Sequence, residues 1–319
     1  MLGIKVSIII CTCNRAEHLR LTLASMAGVC VPETIPTELI VIDNGSTDNT
    51  AEVIQQCQLP NMPVRYVREL RRGQCYARNT GMAEAQGEVF LWTDDDVRPS
   101  KNWITGMCGP ILRGEADAIV GGVKLAPHLE RPWMESLHRS WLASTHDLNA
   151  KNPESIVGAN MAFSRRVLER VPGFDTELGP GALGFFDETL FSWQLKEAGY
   201  SVAASFDVCV EHHLDASRLT RRSFLASAKK MGNSDAYTIY HWKHNESHSL
   251  YLLLMKRYLR LFYWRITRWQ DLLSNKGMPV WEMEVTTHIH CYNYLLKEKN
   301  KPRHYQKHGL IKIKANTTL

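Results

Sequence analysis

Short apolar runs alternate with amphipathic stretches of helical length from residue 6 to residue 92. The apolar runs are predicted as strands at residues 6–10, 38–42, 64–67 and 89–92. The amphipathic stretches between them are predicted as helices at residues 16–28, 50–56 and 76–85. Strands that are apolar on both faces and joined through helices are typical of a parallel sheet that is covered on each side.

Beyond this point the pattern is less regular, but it still predicts further strands and one clear helix. The strands are expected at residues 117–125, 156–165 and 202–210. A Gly-rich loop at 174–186 precedes a helix over 187–198, which Gly199 ends. We therefore expect an α/β domain over residues 1–220, with helices on both faces of a mixed, mostly parallel sheet. A helical region is expected over residues 221–319.

Polar residues follow three of the predicted strands, at the point where each strand ends. These segments are Thr12-Cys13-Asn14-Arg15, Asp43-Asn44-Gly45-Ser46-Thr47-Asp48 and Thr93-Asp94-Asp95-Asp96. Ligands of open α/β sheets bind at the carboxyl ends of the strands, where such loops meet. The sequence therefore predicts a single active site at this edge of the sheet.

Two groups of motifs carry a resemblance to a known family. The first group is SIIICTCNR, ELIVIDNGSTDNT and RGQCYARNTGMAEAQGEVFLWTDDD, and the second is GANMAFSRRVLERVPGFDTELGPG, FDETLFSWQLKEAGY, VEHH and RLTRR. In this order and spacing, over residues 4–230, they resemble family 2 glycosyltransferases with the GT-A fold. The resemblance implies a Rossmann-like fold and transfer of a sugar from a nucleotide-sugar donor to a glycan or lipid-linked acceptor. It also implies a metal-dependent, inverting single displacement that serves polysaccharide or glycoconjugate synthesis.

Asp94, Asp95 and Asp96 form a carboxylate triplet at the end of a predicted strand. Like charges this close repel one another unless a cation neutralises them. Mg²⁺ and Mn²⁺ take carboxylate and phosphate oxygens as ligands, and such an ion stabilises a departing diphosphate. The triplet resembles the family's DXD motif, which implies that Asp96 binds the metal and that Asp94 binds the metal or the donor ribose. The alternative is a solvated acidic turn before Pro99.

The resemblance also implies a set of donor-binding residues. They are Thr12, Cys13, Asn14, Arg15, Asp43, Arg78, Asn79, Asp94 and Asp95. Asp43 matches the acid that binds the nucleotide base, whereas Cys13 replaces the aromatic residue that stacks on the base in many members. Arg78 matches a residue able to pair with diphosphate oxygens. Two alternatives stay open: Asp43 could only satisfy backbone groups of its own loop, and Arg78 could tie a loop to its helix.

An acidic pair, Asp187 and Glu188, lies at the start of a predicted helix. The acceptor hydroxyl needs a carboxylate that takes its proton as it attacks the anomeric carbon. The family position implies that Glu188 is this base and that Asp187 orients the acceptor or substitutes for the base; the alternative is a pair favoured by the helix dipole. His212 matches the family's late metal-facing histidine, since neutral imidazole suits Mn²⁺. A purely structural histidine is the other interpretation.

Charge is unevenly distributed along the chain. The net charge is +5, but residues 251–319 hold 13 Lys/Arg against 4 Asp/Glu. The helical pattern at 252–273 has a basic side formed by Lys256, Arg257, Arg260 and Arg268. Its other side is aromatic and aliphatic, which is typical of a helix that docks on an anionic membrane surface. The alternative is packing on the catalytic body or on a second subunit. The acidic remainder of the chain argues against a nucleic-acid partner.

The eight cysteines form no CxxC pair, and we predict reduced thiols in a cytosolic protein. The apolar run near the amino terminus is too short for a signal peptide. No stretch reaches the about 20 apolar residues that span a bilayer. The expected location is the cytoplasm, with peripheral attachment to the inner face of the membrane.

The loop after the first strand also bears on competing functions. A sugar nucleotidyltransferase needs a Gly-rich phosphate loop there, and a Rossmann dehydrogenase needs G-x-G-x-x-G. Residues 11–15 contain no glycine, which disfavours both enzymes. The remaining alternative is a non-catalytic protein of GT-A fold that binds a sugar or nucleotide. The swapped order of the acidic pair and the missing stacking aromatic keep this alternative open.

Overall fold

The computed structural model describes residues 3–245, 249–273 and 277–313 of the chain. Its strands are β1 (Val6–Thr12), β2 (Thr37–Asp43), β3 (Val64–Arg68), β4 (Val89–Asp94), β5 (Val97–Pro99), β6 (Ala118–Leu125), β7 (Met161–Ser164) and β8 (Val202–His212). Its α-helices are α1 (Ala16–Met26), α2 (Thr50–Gln55), α3 (Gln74–Glu84), α4 (Trp103–Leu112), α5 (Ser136–Trp141), α6 (Asp187–Glu197), α7 (Arg221–His241), α8 (Leu250–Thr267), α9 (Trp269–Leu273) and α10 (Val280–Glu298).

These strands form one sheet in the order β3-β2-β1-β4-β7-β6-β8-β5. β1 pairs in parallel with β2 and β4, β2 pairs in parallel with β3, and β6 with β8. β7 runs antiparallel to β4 and β6, and β5 runs antiparallel to β8. The predicted mixed, mostly parallel sheet is therefore confirmed. The chain moves outward from β1 to β3 and returns to β4 on the other side of β1, so the strand order reverses between β1 and β4.

Alternate side chains of the central strands enter two separate hydrophobic cores. Ile8 and Ile10 of β1 pack with α1, α2 and α4 on one face, whereas Ile9 packs with α3 and α6 on the other. This division follows from the period of two along a strand. Helices therefore cover both faces, as predicted, and hold the carboxyl ends of β1, β2 and β4 at one edge.

The prediction of a strand over 156–165 is only partly correct. A 3-10 turn at Gly158–Asn160 precedes β7, so the strand begins at Met161. The Asn160 side chain donates to the backbone oxygens of Gly122 and Val208 and fixes this turn between strands. α4 has no counterpart in the prediction, because it is apolar almost all round and carries no amphipathic signal.

The region after β8 is helical, as expected from the sequence. α7 packs along α10, and α8 lies along α10 on another side. The predicted helix over 252–273 is interrupted at Arg268, between α8 and α9. The last described residues return to the α/β part, where Tyr305 and Lys312 bond Asp175. Among the described residues, no helix has both the length and the apolar character that crossing a membrane requires.

Candidate active site at the carboxyl edge of the sheet

The polar loops after β1, β2 and β4 meet at one edge of the sheet. The register places Thr12 beside Asp43 and Cys11 beside Asp94, so the loops start at the same level. β5 follows the carboxylate triplet and pairs with β8, which brings His212 opposite Val97. Because the strand order reverses here, this edge is the usual ligand-binding position of an open α/β sheet.

Asp95 is the structural member of the triplet. Its Oδ2 accepts from Thr12 Oγ1 at 2.7 Å, and its backbone oxygen accepts from Thr22 Oγ1 at 2.7 Å. Arg15 Nε lies 3.3 Å from its Oδ1. Burial raises the pKa of Asp95 to about 7, although the charge of Arg15 opposes the rise. Asp95 therefore holds the loop after β4 against β1 and α1.

Asp96 faces His212 in the buried floor of the site. Asp96 Oδ2 accepts from Arg15 Nη2 at 2.6 Å, and Asp96 Oδ1 lies 3.1 Å from His212 Nε2. His212 Nδ1 lies 3.1 Å from the backbone oxygen of Leu142, and because a carbonyl only accepts, Nδ1 carries the hydrogen. With no proton on Nε2, its lone pair would face Asp96 Oδ1, a buried atom with no other hydrogen-bond donor in the described part of the chain. A proton or a cation bound by both atoms removes this repulsion.

The chemistry of this donor set fits a divalent metal. One ligand atom each of Asp94, Asp96 and His212 lies within 4.8 Å of the others. Two atoms bound about 2.1 Å from one octahedral ion lie about 3 Å apart, which matches the separation of Asp96 and His212. Burial raises the pKa of Asp96, but the hydrogen bond and charge of a protonated His212, and then Arg15, outweigh burial, so the pKa lies below its usual range and Asp96 is ionised. A metal ion bound by both residues would take the place of that proton. These three residues are able to hold Mn²⁺ or Mg²⁺, as the sequence predicts.

Arg218 approaches the metal-binding carboxylates from the segment after β8. Burial lowers the pKa of Arg218 below its usual value, and the charges of Asp96 and Asp94 oppose this change. Within residues 3–245, 249–273 and 277–313, no acceptor bonds the Arg218 guanidinium and no donor bonds the Asp94 carboxylate. The Arg218 guanidinium is therefore available to a phosphate group, and the Asp94 carboxylate is available to a cation.

Arg78 on α3 joins the two acids that begin α6. Its Nη1 donates to Asp187 Oδ2 at 2.5 Å, and its Nη2 donates to Glu188 Oε1 at 2.8 Å. Arg78 and Asp187 are buried, whereas 24% of the Glu188 side chain is exposed. A Cβ at Gly158 would clash with the ends of both the Arg78 and Glu188 side chains, so any larger residue there would displace this ion pair. Arg78 therefore connects α3 to the first turn of α6, and its contact with the donor stays a prediction.

The two acids differ in their protonation. Burial, and then the charge of Glu188, raise the pKa of Asp187 well above its usual range. Burial also raises the pKa of Glu188, but the charge and hydrogen bond of Arg78 help to outweigh burial, and the pKa is lowered. Glu188 is therefore the more readily ionised acid of the pair and is partly open to solvent, while Asp187 is the acid that takes up a shared proton. Of the two, Glu188 fits the role of a general base.

Asp43 is engaged within its own loop. Its Oδ1 accepts from the Ser46 backbone nitrogen at 2.8 Å, and its Oδ2 accepts from Tyr66 Oη at 2.9 Å. The side chain is buried, and the neighbouring Cys13 is exposed at the rim of the site. Contact of Asp43 and Cys13 with a nucleotide base stays a prediction.

Two predicted donor-binding asparagines make structural contacts. Asn79 accepts from the backbone nitrogen of Phe174 and donates to its backbone oxygen, at 2.8 and 2.9 Å. Asn14 has a φ of 54° and accepts from the Thr47 backbone nitrogen at 2.7 Å. Asn79 thus fixes α3 against the loop before α6, and Asn14 joins the loops after β1 and β2.

Sequence reasoning did not single out Arg218 or Gly158 as site residues. Both lie in motifs that carried the family resemblance, RLTRR and GANMAF. The signal that could have found them is their place in those motifs, because a single arginine or glycine forms no pattern of its own.

Comparison with known proteins finds relatives among the glycosyltransferases. The model of Glycosyl transferase family 2 matches residues 7–171. The glycosyltransferase AglE of Haloferax volcanii is 27% identical over 213 residues, which are 64% of this chain and 65% of that protein. The glucosyl-dolichyl phosphate glucuronosyltransferase of the same organism is 25% identical over 180 residues, 55% of this chain and 57% of that protein. The matched region thus spans less than two thirds of either relative.

A solved structure has the same fold. The mannosyltransferase PcManGT from Pyrobaculum calidifontis, in complex with GDP-Man and Mn²⁺, aligns with a TM-score of 0.55 at 20% identity. The alignment covers 74% of this chain and 63% of that one, and it confirms the predicted GT-A fold. Since the family model matches more than half of the residues, this chain belongs to glycosyl transferase family 2.

Proposed function

We propose that this chain is a metal-dependent glycosyltransferase that moves a sugar from a nucleotide-diphosphate sugar to an acceptor hydroxyl. The observation that carries the proposal is the proximity of two groups at one sheet edge. The donor set Asp94, Asp96 and His212 suits a diphosphate leaving group, and Glu188 suits a proton-accepting step. The turn at Gly158–Asn160 connects them, since Gly158 lies against Glu188 Oε1 and the backbone oxygen of Ala159 accepts from Thr93 Oγ1, next to Asp94. With this function we propose a catalytic region over 1–220 and a helical region over 221–319.

The donor-side residues suit a diphosphate that gains charge. A bound divalent ion supplies electrostatic stabilisation of the leaving diphosphate. Asp96 and His212 would hold the ion, and Arg15 fixes Asp96 through its hydrogen bond. Arg218 faces the same edge and pairs with phosphate oxygens. The solved structure of PcManGT in complex with GDP-Man supports a nucleotide-sugar donor for this chain.

On the acceptor side, Glu188 takes the proton of the attacking hydroxyl. That oxygen forms the new bond to the anomeric carbon while the bond between this carbon and the diphosphate breaks. The electron pair leaves with the diphosphate, and attack from the opposite face inverts the configuration. Arg78 keeps Glu188 ionised before the attack, and the protonated Asp187 adds no second negative charge beside it.

For the acceptor we propose a glycan or a lipid-linked glycan. The name of one relative, a glucosyl-dolichyl phosphate glucuronosyltransferase, includes a lipid phosphate and supports the second choice. We also propose that the protein works in the cytoplasm at the inner face of a membrane, with residues 252–273 making the contact. The basic and aromatic composition of that segment supports this location.

The test is release of nucleotide diphosphate from a panel of UDP-, GDP- and dTDP-sugars, with Mn²⁺ or with EDTA. We expect one donor to be consumed in Mn²⁺, with loss of activity in EDTA and in Asp96→Ala. Asp207→Asn, which changes an exposed carboxylate on β8, is the matched control and keeps wild-type activity. Full activity of Asp96→Ala would overturn the proposal. Donor binding without turnover, in the presence of glycan acceptors, would favour the non-catalytic alternative.

A further inference from the structure

The exposed apolar side chains of this protein are concentrated on one segment. Of the fifteen large hydrophobic side chains that are exposed in the described residues, ten lie between residues 251 and 273. They are Tyr251, Leu252, Met255, Tyr258, Leu259, Phe262, Tyr263, Ile266, Trp269 and Leu273. Exposed apolar surface of this density marks an interaction site rather than ordinary scatter.

α8 turns a different set of residues toward the rest of the protein. Leu250 is buried, and its partly buried residues Leu253, Leu254, Arg257, Leu261 and Trp264 recur at helical spacing on one side. At about 100° per residue, the exposed row through Met255, Leu259 and Phe262 lies on the opposite side of the helix. The apolar side is therefore not packed on the catalytic body, which removes one of the two alternatives to a membrane.

The ends of α8 are fixed by specific contacts. Arg265 Nη2 donates to Glu282 Oε1 at 2.9 Å, and the Trp264 ring packs edge-on against Trp281 at 5.6 Å. Near the start of the helix, Lys299 lies over the Tyr251 ring. α8 is thus held in a set orientation along α10, with its apolar row facing outward.

The charge pattern of this segment decides which partner fits. Residues 250–270 contain no Asp or Glu and hold five basic residues. Lys256 and Arg260 are exposed and flank the apolar row. Pairing of two copies through this face would bring these like charges together, whereas an anionic bilayer neutralises them. Tyrosine and tryptophan side chains are also typical of the interface between headgroups and acyl chains.

The same segment is connected to the active-site end of the molecule. Glu282 on α10 is fully buried and accepts hydrogen bonds from both Arg265 of α8 and Arg221 of α7. Arg221 starts α7 only nine residues after His212, which ends β8 and belongs to the candidate donor set. The carboxyl-terminal end of α8 therefore lies toward the end of the helical region where the candidate site opens.

We propose that the outer face of α8, together with α9, docks on an anionic lipid bilayer and presents the active site to that surface. The helix lies in the plane of the membrane, with Leu259 and Phe262 among the acyl chains and Lys256 and Arg260 at the headgroups. The docking itself is argued from the exposed face and the charges of α8, and it does not depend on the proposed function. Its use in catalysis, capture of an acceptor from the bilayer, rests on the proposed glycosyl transfer.

The test is flotation of the full chain with vesicles of phosphatidylcholine alone or with 40% phosphatidylglycerol. We expect the protein to float with the anionic vesicles only. Leu259→Ser/Phe262→Ser is expected to stay at the bottom, and Lys256→Gln/Arg260→Gln to bind about 20-fold more weakly. Leu21→Ser/Leu70→Ser and Arg20→Gln/Arg113→Gln are matched controls at exposed sites of the catalytic region, and both float like the wild type.

Two results would overturn the docking. One is equal flotation of the wild type and Leu259→Ser/Phe262→Ser. The other is no flotation, combined with a dimer in sedimentation equilibrium that Leu259→Ser/Phe262→Ser dissociates, which assigns the face to a second copy. Asp96→Ala separates this proposal from the proposed function, because that variant floats normally while it releases no nucleotide.

Discussion

Asp96 Oδ1 lies 3.1 Å from His212 Nε2, while the imidazole hydrogen sits on the other nitrogen and points to Leu142. Two buried lone pairs at this distance repel each other unless a positive charge lies between them. A proton on His212 Nε2 or a bound metal ion supplies that charge, and metal binding should therefore be visible without any sugar substrate.

We expect Mn²⁺ to stabilise the protein, by about 2.7 kcal/mol when the free ion is at 100 times its Kd. Asp96→Asn keeps the shape of the side chain but removes its charge, so it should lose most of this stabilisation. Titration calorimetry with MnCl₂ and thermal unfolding measure the two quantities, and Asp207→Asn serves as the control. Equal Mn²⁺ affinity in the wild type and Asp96→Asn would show that Asp96 is not a ligand.

The protonation of the acidic pair predicts opposite outcomes for two similar substitutions. Glu188→Gln removes the ionised base, so kcat should fall by about 10² to 10⁴. Asp187→Asn replaces a protonated carboxyl by a neutral amide of the same shape, so kcat should stay within about tenfold of the wild type. Steady-state kinetics with the best donor measure both. A larger loss in Asp187→Asn than in Glu188→Gln would reverse the assignment.

Arg218 is predicted to contact the donor diphosphate. Arg218→Ala should weaken nucleoside diphosphate binding by about tenfold or more, since hydrogen bonds to charged groups contribute about 1.5–3 kcal/mol. The Mn²⁺ affinity of the free protein should not fall, because Arg218 is a cation near the metal ligands. Calorimetry with UDP and GDP in Mn²⁺ measures the change. Arg222→Ala, an exposed arginine four residues along, is the control, and an equal effect of both substitutions would refute the contact.

The buried His241 should make the free energy of unfolding fall at acid pH. Its Nδ1 accepts from the His304 backbone nitrogen and its Nε2 faces Glu298 Oε2, so the buried ring is satisfied in its neutral form. Burial, and then the charge of His304, lower its pKa to about 4. In the unfolded chain this histidine takes up its proton near pH 6.5. The contribution of His241 to the free energy of unfolding is therefore complete above pH 6.5 and is lost as the pH falls toward 4.

Urea unfolding between pH 7.5 and pH 4 measures this dependence. His241→Gln should show a weaker fall in the free energy of unfolding over that range than the wild type does. His146→Gln, at an exposed histidine, should follow the wild-type curve. An unchanged slope in His241→Gln would mean that other groups cause the acid sensitivity.

The amino-terminal half of the fold was predictable because each strand there is a local apolar run with a helix after it. α4 and β5 were not predictable, since α4 has no polar face and β5 is only three residues long. β7 was predicted too long, because the turn before it depends on Asn160 bonding two distant strands. Local sequence carries no record of such long-range contacts.

The candidate site, like the fold, was predictable only in part. The position of Asp96 at a strand end, and its family motif, indicated a metal site, and the structure brings His212 to it from more than a hundred residues away. The burial of Arg78 between two acids was not predictable, because both partners belong to another helix. The full engagement of Asp43 was also hidden, since Tyr66 lies on a neighbouring strand.

Asp175 joins the last described residues to the α/β part of the protein. Its carboxylate is buried and accepts from Tyr237 on α7 and from Tyr305 and Lys312 near the end of the described chain. An enzyme fragment cut after residue 220 would leave this charge without any of these three partners. Residues 1–220 and 221–313 are therefore expected to unfold together. A purification tag belongs at the amino terminus, because a tag near Lys312 would disturb the bonds that Tyr305 and Lys312 make to Asp175.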